Sequence, residues 1–338
     1  MKKLKVGLNG FGRIGRAFTR IAIRCGTFEI VAINTRRTKP PMLAYLLKYD
    51  SVYGAFEKEV SYDEEGIIVD GKKIYTTNIP DPEEIPWEKY EVDVVLEATG
   101  VFKKKEDLKK HLRGSVKAVI LTAPSKDEET PHLVLGVNED QILTKDNRII
   151  SNASCTTNSA SPLLLVLDKN FKIKKAFLTT THAYTSTQSL LDNANKAFTR
   201  ARAAALNIVP TTTGAAKAVV KTIPHLKGKI DGMALRVPVP TVSFTQISAI
   251  VEKETTVEQV NKVFKQASQT YLKGILGYEE TPLVSSDYIG SPYSTVFDAN
   301  YTKVIDGNFI QVFGWYDNEW GYSNRLVDLV EKISKFYL

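Results

Sequence analysis

The sequence predicts two mixed α/β domains: a doubly wound, parallel-sheet domain over residues 1–151, and an α+β domain over residues 152–318 with a largely antiparallel sheet. Three observations carry this. Strand-length apolar runs alternate with helix-period runs from Leu4 to Ile150, as crossover helices on a parallel sheet require. Glycines stand at 10, 12 and 15, directly after the first apolar run. Beyond residue 155 the strand-like runs lengthen and fill with threonine.

The elements follow in chain order. Leu4–Asn9 reads as a strand, the run through Ala17, Phe18, Ile21, Ala22 and Ile23 as a helix, and Glu29–Asn34 as a second strand. Gly10-Phe11-Gly12-Arg13-Ile14-Gly15 lies between the first strand and its helix, where this spacing is a Rossmann-type dinucleotide fingerprint. The glycines allow a tight turn and close approach of backbone to pyrophosphate, and the helix start receives the phosphates. A glycine turn without a ligand is the plainer alternative. A helix over 42–49, strands near 56–60, 67–69 and 73–75 with an Asp70-Gly71 hairpin turn, and a strand over 92–97 come next. A helix over 104–112 and strands over 116–121 and 133–135 complete the first domain.

In the second half, 176–183 is a threonine-rich strand ending near His182, and a polar, alanine-rich loop runs from Tyr184 to about Ile208. Thr213-Gly214 opens a helix, and strands are expected at 232–238, 242–252 and 309–315. Thr256 caps an amphipathic helix bearing Val260, Val263, Phe264 and Ala267. A last helix near 322–336 places Leu326, Leu329, Val330 and Ile333 on one face.

Hydrophobic residues make up 43% and charged residues 25% of 338, which suits a water-soluble globular chain. No apolar run approaches the ~20 residues that span a bilayer, so no membrane role is expected. The net charge of +7 comes from dispersed basic residues interleaved with acids, which disfavours nucleic acid as the main partner and suits phosphorylated small molecules. Cys25 and Cys155 are the only cysteines; their spacing suggests neither a disulfide framework nor a metal site, and a reducing, cytoplasmic compartment is expected.

The stretch Ser151-Asn152-Ala153-Ser154-Cys155-Thr156-Thr157-Asn158 places one thiol where a helix should begin. Unpaired N–H groups and the helix dipole at such a start favour a thiolate nucleophile; a buried, inert cysteine is the alternative. Four histidines are candidate bases. His111 lies in a charged helix and His225 beside a proline, so both read as surface residues; His132 sits in a polar loop; His182 ends a strand among hydroxyl side chains. Arg236 stands alone in an apolar strand, where it needs an anionic partner.

These stretches closely resemble the phosphorylating (type I) glyceraldehyde-3-phosphate dehydrogenases over nearly the whole chain. The match includes Asn9 to Arg16, Leu47 to Val52, Ser151 to Asn158, His182 to Thr185, Arg200 to Ala204, Pro210 to Ala216, Arg236 to Pro238 and Trp315 to Ser323. The resemblance implies a homotetramer in which the C-terminal helix, 319–338, packs back on the cofactor domain. It implies reversible oxidation of glyceraldehyde 3-phosphate, with inorganic phosphate, to 1,3-bisphosphoglycerate through a thioester on Cys155, with His182 as base. It places the substrate phosphate near Thr185 and Arg236, the attacking phosphate near Ser154, Thr156, Thr213 and Gly214, and Arg200 alongside. It places Asn318 and Tyr322 around the nicotinamide, and Asn34, Thr99, Gly100, Phe102 and Thr122 along the cofactor.

The departures concern the cofactor. NAD-binding members carry Asn-Asp where this chain has Asn34-Thr35, followed by Arg36 and Arg37. An acid repels a 2′-phosphate, whereas threonine can hydrogen-bond it and arginine can pair with it. Asn193-Ala194 replaces the family's usual Leu-Pro, and an arginine often found near the adenine is replaced around Pro80. NADP is therefore the expected preferred cofactor, with NAD also accepted; NAD preference, with Arg36 and Arg37 merely solvated, is the alternative. Ser159 stands where many members have a second cysteine. An erythrose-4-phosphate dehydrogenase and a non-enzymatic cofactor- or redox-sensing regulator are the competing functions.

Overall fold

The computed structural model describes residues 3–337; Met1, Lys2 and Leu338, at the outer ends of the expected segments 1–151 and 319–338, lie outside the described residues. The chain forms two compact units. The first takes in the chain up to Leu133, Glu139–Ala153 and the residues from Ser323 on; the second comprises Val134–Asn138 and Ser154–Tyr322.

The first unit contains β1 (Lys5–Asn9), α1 (Arg13–Cys25), β2 (Glu29–Asn34), α2 (Pro40–Lys48), β3 (Val60–Tyr62), β4 (Gly66–Val69), β5 (Lys72–Thr77), β6 (Val94–Glu97), α3 (Lys105–Lys109), β7 (Ala118–Leu121), α4 (Glu139–Ile142) and β8 (Ile149–Ser151). The sheet order is β3-β4-β5-β2-β1-β6-β7-β8, parallel from β5 onward and antiparallel in the β3–β4–β5 meander. From β1 the chain moves to β2 on one side and later to β6 on the other. The strand order reverses at that point, and a crevice opens beyond the carboxyl ends of the strands. Asp70 and Gly71 both adopt positive φ (47° and 78°), the backbone that a two-residue hairpin turn needs.

Several boundaries differ from the sequence expectation. The run 133–135 is buried but is not a strand; the chain makes only an isolated bridge, His132 to Ser151, before turning away. An apolar run of three residues reports burial without specifying backbone form. The strand expected at 56–60 begins only at Val60, because the Phe56 N–H donates to Lys48 O at the end of α2. The helix expected over 104–112 is regular only through Lys105–Lys109.

The second unit contains α5 (Cys155–Phe171), β9 (Ile173–Ala183), β10 (Val209–Thr212), α6 (Ala215–Thr222), β11 (Ile230–Val237), β12 (Ser243–Val251), α7 (Val257–Gln269), β13 (Leu276–Glu279), β14 (Thr295–Asp298), β15 (Lys303–Ile305) and β16 (Phe309–Tyr316). Its sheet runs β10-β11-β9-β12-β16-β14-β13, with β15 added to β16; only the β9–β11 and β13–β14 pairs are parallel. Leu163, Leu164, Val166 and Leu167 of α5 are buried in one core with Leu178, Ile247, Phe297 and Val312 of the sheet. Thr256 and Gln259 form a full capping box at the start of α7. The last helix, α8 (Trp320–Tyr337), belongs to the first unit from Ser323. There Thr27 donates to Glu331 (2.7 Å), Lys332 pairs with Glu139, and Lys117 donates to Tyr337 O (3.3 Å).

Candidate active site

Cys155 is the first residue of α5. Ala153, two residues earlier, has φ +52°, a left-handed conformation that costs a non-glycine residue on the order of 1 kcal/mol. This sharp turn places Cys155 on the first turn of the helix. Ser154 is the N-cap, its Oγ accepting from the Thr157 N–H at 3.0 Å. The N–H groups ahead of that bond and the helix dipole favour negative charge at this end.

His182 lies near the end of β9, and its Nε2 is 3.5 Å from Cys155 Sγ. The parallel register of β11 on β9 sets Arg236 directly opposite His182. Arg236 Nη1 lies 2.6 Å from His182 Nδ1 and donates to Ala183 O at 2.9 Å, while Nδ1 is itself 2.7 Å from that carbonyl. Burial, reinforced by the Arg236 charge, pushes the His182 imidazole down to about 3. Burial pushes the Cys155 thiol up, and Arg236 pulls it back.

Tyr316, which the sequence reading did not single out, packs under this pair. Its hydroxyl is within 3.0 Å of Thr156 Oγ1 and 2.9 Å of Thr180 Oγ1, and its ring meets His182 edge-on at 6.0 Å. Thr156, expected at the attacking phosphate, is buried with its hydroxyl turned to Tyr316, so its side chain braces the helix start. The only advance signal for Tyr316 was its place in the Trp315-to-Ser323 stretch. Ser159, one turn beyond Cys155, is fully buried, its hydroxyl bonding those of Thr245 (3.0 Å) and Thr295 (3.2 Å).

The remaining residues read as anion or nicotinamide contacts also lie in the second unit. Thr185 Oγ1 pairs with Thr187 Oγ1 (2.9 Å), and Arg200 Nε donates to Thr211 Oγ1 (3.1 Å). Thr213 accepts from the Ala215 N–H (3.1 Å), and Gly214 is the exposed N-cap of α6. Asn193 is exposed, its Oδ1 accepting from the Ala194 N–H. Asn318 is buried, with Oδ1 accepting from Ser243 Oγ at 3.0 Å. Ser243 Oγ itself accepts from the Ala183 N–H at 3.1 Å, so its hydrogen is free to donate, and the Asn318 amide nitrogen becomes the donor presented to a ligand. Tyr322 is buried in the first turn of α8.

The first unit carries a cleft of about 460 Å³ lined by Gly10, Phe11, Gly12, Asn34, Thr35, Arg36, Thr99 and Phe102, among others. Gly10 has φ +104°, and a Cβ there would meet the backbone of Ala98 and Thr99 at 2.7 Å. A Cβ at Gly15 would meet Gly10 O at 2.6 Å, whereas at Gly12 it would meet nothing within 4 Å. Gly12 caps α1 without a side-chain bond, leaving the helix N–H groups for phosphate. The donors and the open space both fit a dinucleotide. Arg13 of the fingerprint pairs with Asp50 (2.5 Å), and Ile14 follows it in α1. Gly100 is an exposed left-handed turn (φ +70°), and the Thr122 N–H donates to Glu97 O.

Asn34 lines the cleft, but its amide is committed: it donates to Asn9 Oδ1 (2.8 Å) and Ile79 O (2.9 Å) and accepts from Thr77 Oγ1 (2.8 Å) and the Ile79 N–H (2.9 Å). It therefore ties three strand ends together. Thr35 donates to Asn78, and Arg36 and Arg37 are exposed.

One histidine, His111, is not where the sequence suggested. His111 is fully buried, accepting from Trp87 Nε1 (3.1 Å) and facing Glu97 Oε2 (3.2 Å). Glu97, also fully buried, accepts in addition from Asn9 Nδ2 (2.6 Å) and the Thr99 N–H (2.8 Å), which holds the cleft floor. His132 is buried too, accepting from the Ser125 N–H (3.2 Å). A residue among charged neighbours reads as exposed even when it is the one side chain of its turn that faces inward.

Residues 4–105 match the family model of the glyceraldehyde 3-phosphate dehydrogenase NAD binding domain, and residues 154–318 that of the glyceraldehyde 3-phosphate dehydrogenase C-terminal domain. The chain is 50% identical to glyceraldehyde-3-phosphate dehydrogenase 2 of Streptomyces avermitilis over 327 residues, covering 96% of this chain and 97% of the relative. It is 50% identical to the Geobacillus stearothermophilus glyceraldehyde-3-phosphate dehydrogenase over 331 residues (98% of each), and 47% identical to glyceraldehyde-3-phosphate dehydrogenase 2 of Bacillus subtilis over 332 residues (98% and 97%). With both family models and near-full-length identity in agreement, the chain belongs to the glyceraldehyde-3-phosphate dehydrogenase family.

Proposed function

We propose that the chain is a phosphorylating glyceraldehyde-3-phosphate dehydrogenase whose chemistry is carried by Cys155 and His182, in a catalytic domain of residues 152–318. The observation that supports this most directly is the 3.5 Å approach of Sγ to Nε2 at a helix N-terminus. The Cys155 thiolate attacks the aldehyde carbon, and His182 takes the hydroxyl proton of the resulting hemithioacetal as it is oxidised to a thioester. The Cys155 backbone N–H and the His182 ring stabilise the oxyanion. Inorganic phosphate then displaces the sulfur, giving 1,3-bisphosphoglycerate. The bound dinucleotide supplies the hydride acceptor.

Arg236, Thr185 and Arg200 hold the substrate phosphate in this reading, and Ser154, Thr213, Gly214 and the backbone N–H of Thr156, whose hydroxyl is turned to Tyr316, the attacking phosphate. The dinucleotide domain, 1–151 with helix 319–338, binds the cofactor along Gly10, Phe11, Gly12, Arg13, Ile14, Asn34, Thr99, Gly100 and Thr122, while Asn318 and Tyr322 orient the carboxamide. NADP is preferred over NAD through Thr35, Arg36, Arg37 and Asn193, and the enzyme works in the cytoplasm as a homotetramer. Leu190, Leu191, Phe198, Leu206 and Ile208 are each at least 67% exposed in the loop after β9, which supports a subunit contact there. Replacing Cys155 with Ser tests the function: NADP reduction with glyceraldehyde 3-phosphate should require inorganic phosphate in the parent chain and vanish in the variant. Retained activity in the variant would refute the thioester route.

A further inference from the structure

A row of side-chain hydrogen bonds crosses the carboxyl ends of β5, β2, β1 and β6, which lie side by side in the first sheet. It begins where Thr77 Oγ1 and the Ile79 N–H donate to Asn34 Oδ1 (2.8 and 2.9 Å). Asn34 Nδ2 donates to Asn9 Oδ1 (2.8 Å), and Asn9 Nδ2 to Glu97 Oε2 (2.6 Å). From the other side Trp87 Nε1 donates to His111 Nδ1 (3.1 Å), and His111 Nε2 meets Glu97 Oε2 at 3.2 Å. Thr99 gives its N–H (2.8 Å) and its hydroxyl to Glu97 Oε1.

The direction of the row is fixed at three points. A backbone N–H and an indole N–H only donate, and a carboxylate only accepts. Ile79 therefore faces the oxygen of Asn34, Trp87 faces a lone pair of His111, and Glu97 faces the nitrogen of Asn9 and the ring hydrogen of His111. Along the row every hydrogen points toward Glu97. Glu97 and His111 are fully buried and offer the cleft no surface, and Trp87 sits in the apolar core with Val92, Val95 and Leu108. The residues that follow the row's members do line the cleft: Gly10 after Asn9, Thr35 after Asn34, and Ala98 and Thr99 after Glu97.

We propose that Glu97 and His111 are positioning residues for the dinucleotide. The carboxylate gathers the strand ends and His111 ties it to the core, so the rim that meets the cofactor is set before the cofactor arrives. The proposal rests on the dinucleotide cleft of the function above and adds residues that touch no ligand. It also separates two tasks. Arg36 in that reading selects between dinucleotides, whereas the row serves what NADP and NAD share, so its loss weakens both alike. A buried donor or acceptor left unpaired costs more than its bond contributes, so one substitution disturbs the whole row. Glu97→Gln sets a donor where Asn9, His111 and Thr99 already present donors. His111→Leu takes one donor from the carboxylate and leaves the Trp87 indole N–H unpaired, whereas His111→Gln keeps a donor for the carboxylate.

The test is calorimetry of NADP and of NAD on the full chain, at a temperature where circular dichroism shows each variant folded. Glu97→Gln and His111→Leu should each raise Kd for both dinucleotides by roughly tenfold, and His111→Gln should recover most of the loss. In steady-state assays KM for the dinucleotide should rise in step, while kcat at saturation and KM for the aldehyde stay within about twofold. A Kd within about twofold of the parent in both variants overturns the proposal, as does an equal loss in kcat. Hydrogen exchange in the parent chain without dinucleotide decides the matter even if neither variant folds. The Thr99 and Ile79 N–H groups, which donate to Glu97 and Asn34, should exchange at least roughly tenfold more slowly than that of the exposed Gly100. Equal rates would show that the rim is not set in advance. A parent chain that binds neither dinucleotide refutes the cleft reading itself; a parent that binds, with variants that bind as well, refutes only the roles of Glu97 and His111.

Discussion

Thr35 Oγ1 donates to Asn78 Oδ1 at 2.8 Å and lies 3.2 Å from Thr38 O. The hydroxyl has one hydrogen, and it is already engaged within the protein. Thr35 therefore contributes to cofactor choice by the charge it lacks, and attraction for a 2′-phosphate falls to Arg36, which is exposed and lines the cleft. Arg36→Ala should lower kcat/KM for NADP by roughly ten- to a hundredfold, the worth of a charge-assisted hydrogen bond, and leave NAD nearly unchanged. Equal losses for both cofactors would remove Arg36 from the selection.

Asn318 is orientated by Ser243, whose hydroxyl relays from the Ala183 N–H to Asn318 Oδ1. Ser243→Ala should let the amide turn. Steady-state kinetics should then show a KM for the dinucleotide about fivefold higher, equivalent to about 1 kcal/mol, with the reactivity of Cys155 toward alkylating agents preserved. An unchanged KM would mean that Asn318 is held by its other neighbours.

The glycines of the first turn should divide by what surrounds them. Gly10→Ala drives a methyl into the backbone of Ala98 and Thr99 from a conformation at φ +104°, and should destabilise the chain by on the order of 3 kcal/mol, read as a fall in Tm. Gly12→Ala enters open space, so Tm should hold while dinucleotide affinity, measured by calorimetry, declines. The reverse pattern would contradict a phosphate seat at Gly12.

Burial and Arg236 hold the His182 imidazole down to about 3 in the folded chain, against an ordinary value of about 6.5 when unfolded. Between those values the unfolded chain binds the extra proton. His182 therefore contributes nothing above about pH 6.5 and costs up to about 1.4 kcal/mol per pH unit as the pH falls below it. His182→Asn should flatten the fall of thermal stability with acid over that window. Parallel curves for parent and variant would show that other groups set the slope.

Ser159 presents a hydroxyl to Thr245 and Thr295 one turn after Cys155, so no second thiol lies on that helix face. Mild peroxide should add one oxygen atom to Cys155, reversibly by dithiothreitol, with matching loss of activity. Intact mass and peptide mapping would show it; a disulfide between Cys155 and Cys25 would overturn it.

What could be read in advance followed the range of the interaction. The glycine turn before α1, the helix start at Cys155 and the capping box at Thr256 are written in residues one to five positions apart, and the structure has each in place. The short strands β10, β13, β14 and β15 were not legible, because three or four residues become a strand only through a partner such as β11 or β16. His111 and Tyr316 were missed for the same reason. The partners that assign them, Trp87 and Glu97 for one and Thr156 and Thr180 for the other, come together only by folding.

Trp87 is one of three tryptophans, and Trp315 and Trp320 both lie in the second unit. Its indole is almost fully buried and donates to His111, which meets the same Glu97 carboxylate that holds Thr99 and Asn9 at the cleft floor. Nature has thus installed a single-site fluorophore wired to the cofactor floor. With Trp315 and Trp320 replaced by Phe, its emission becomes a private optical channel on that half of the chain, able to follow its melting or its filling independently of the catalytic half.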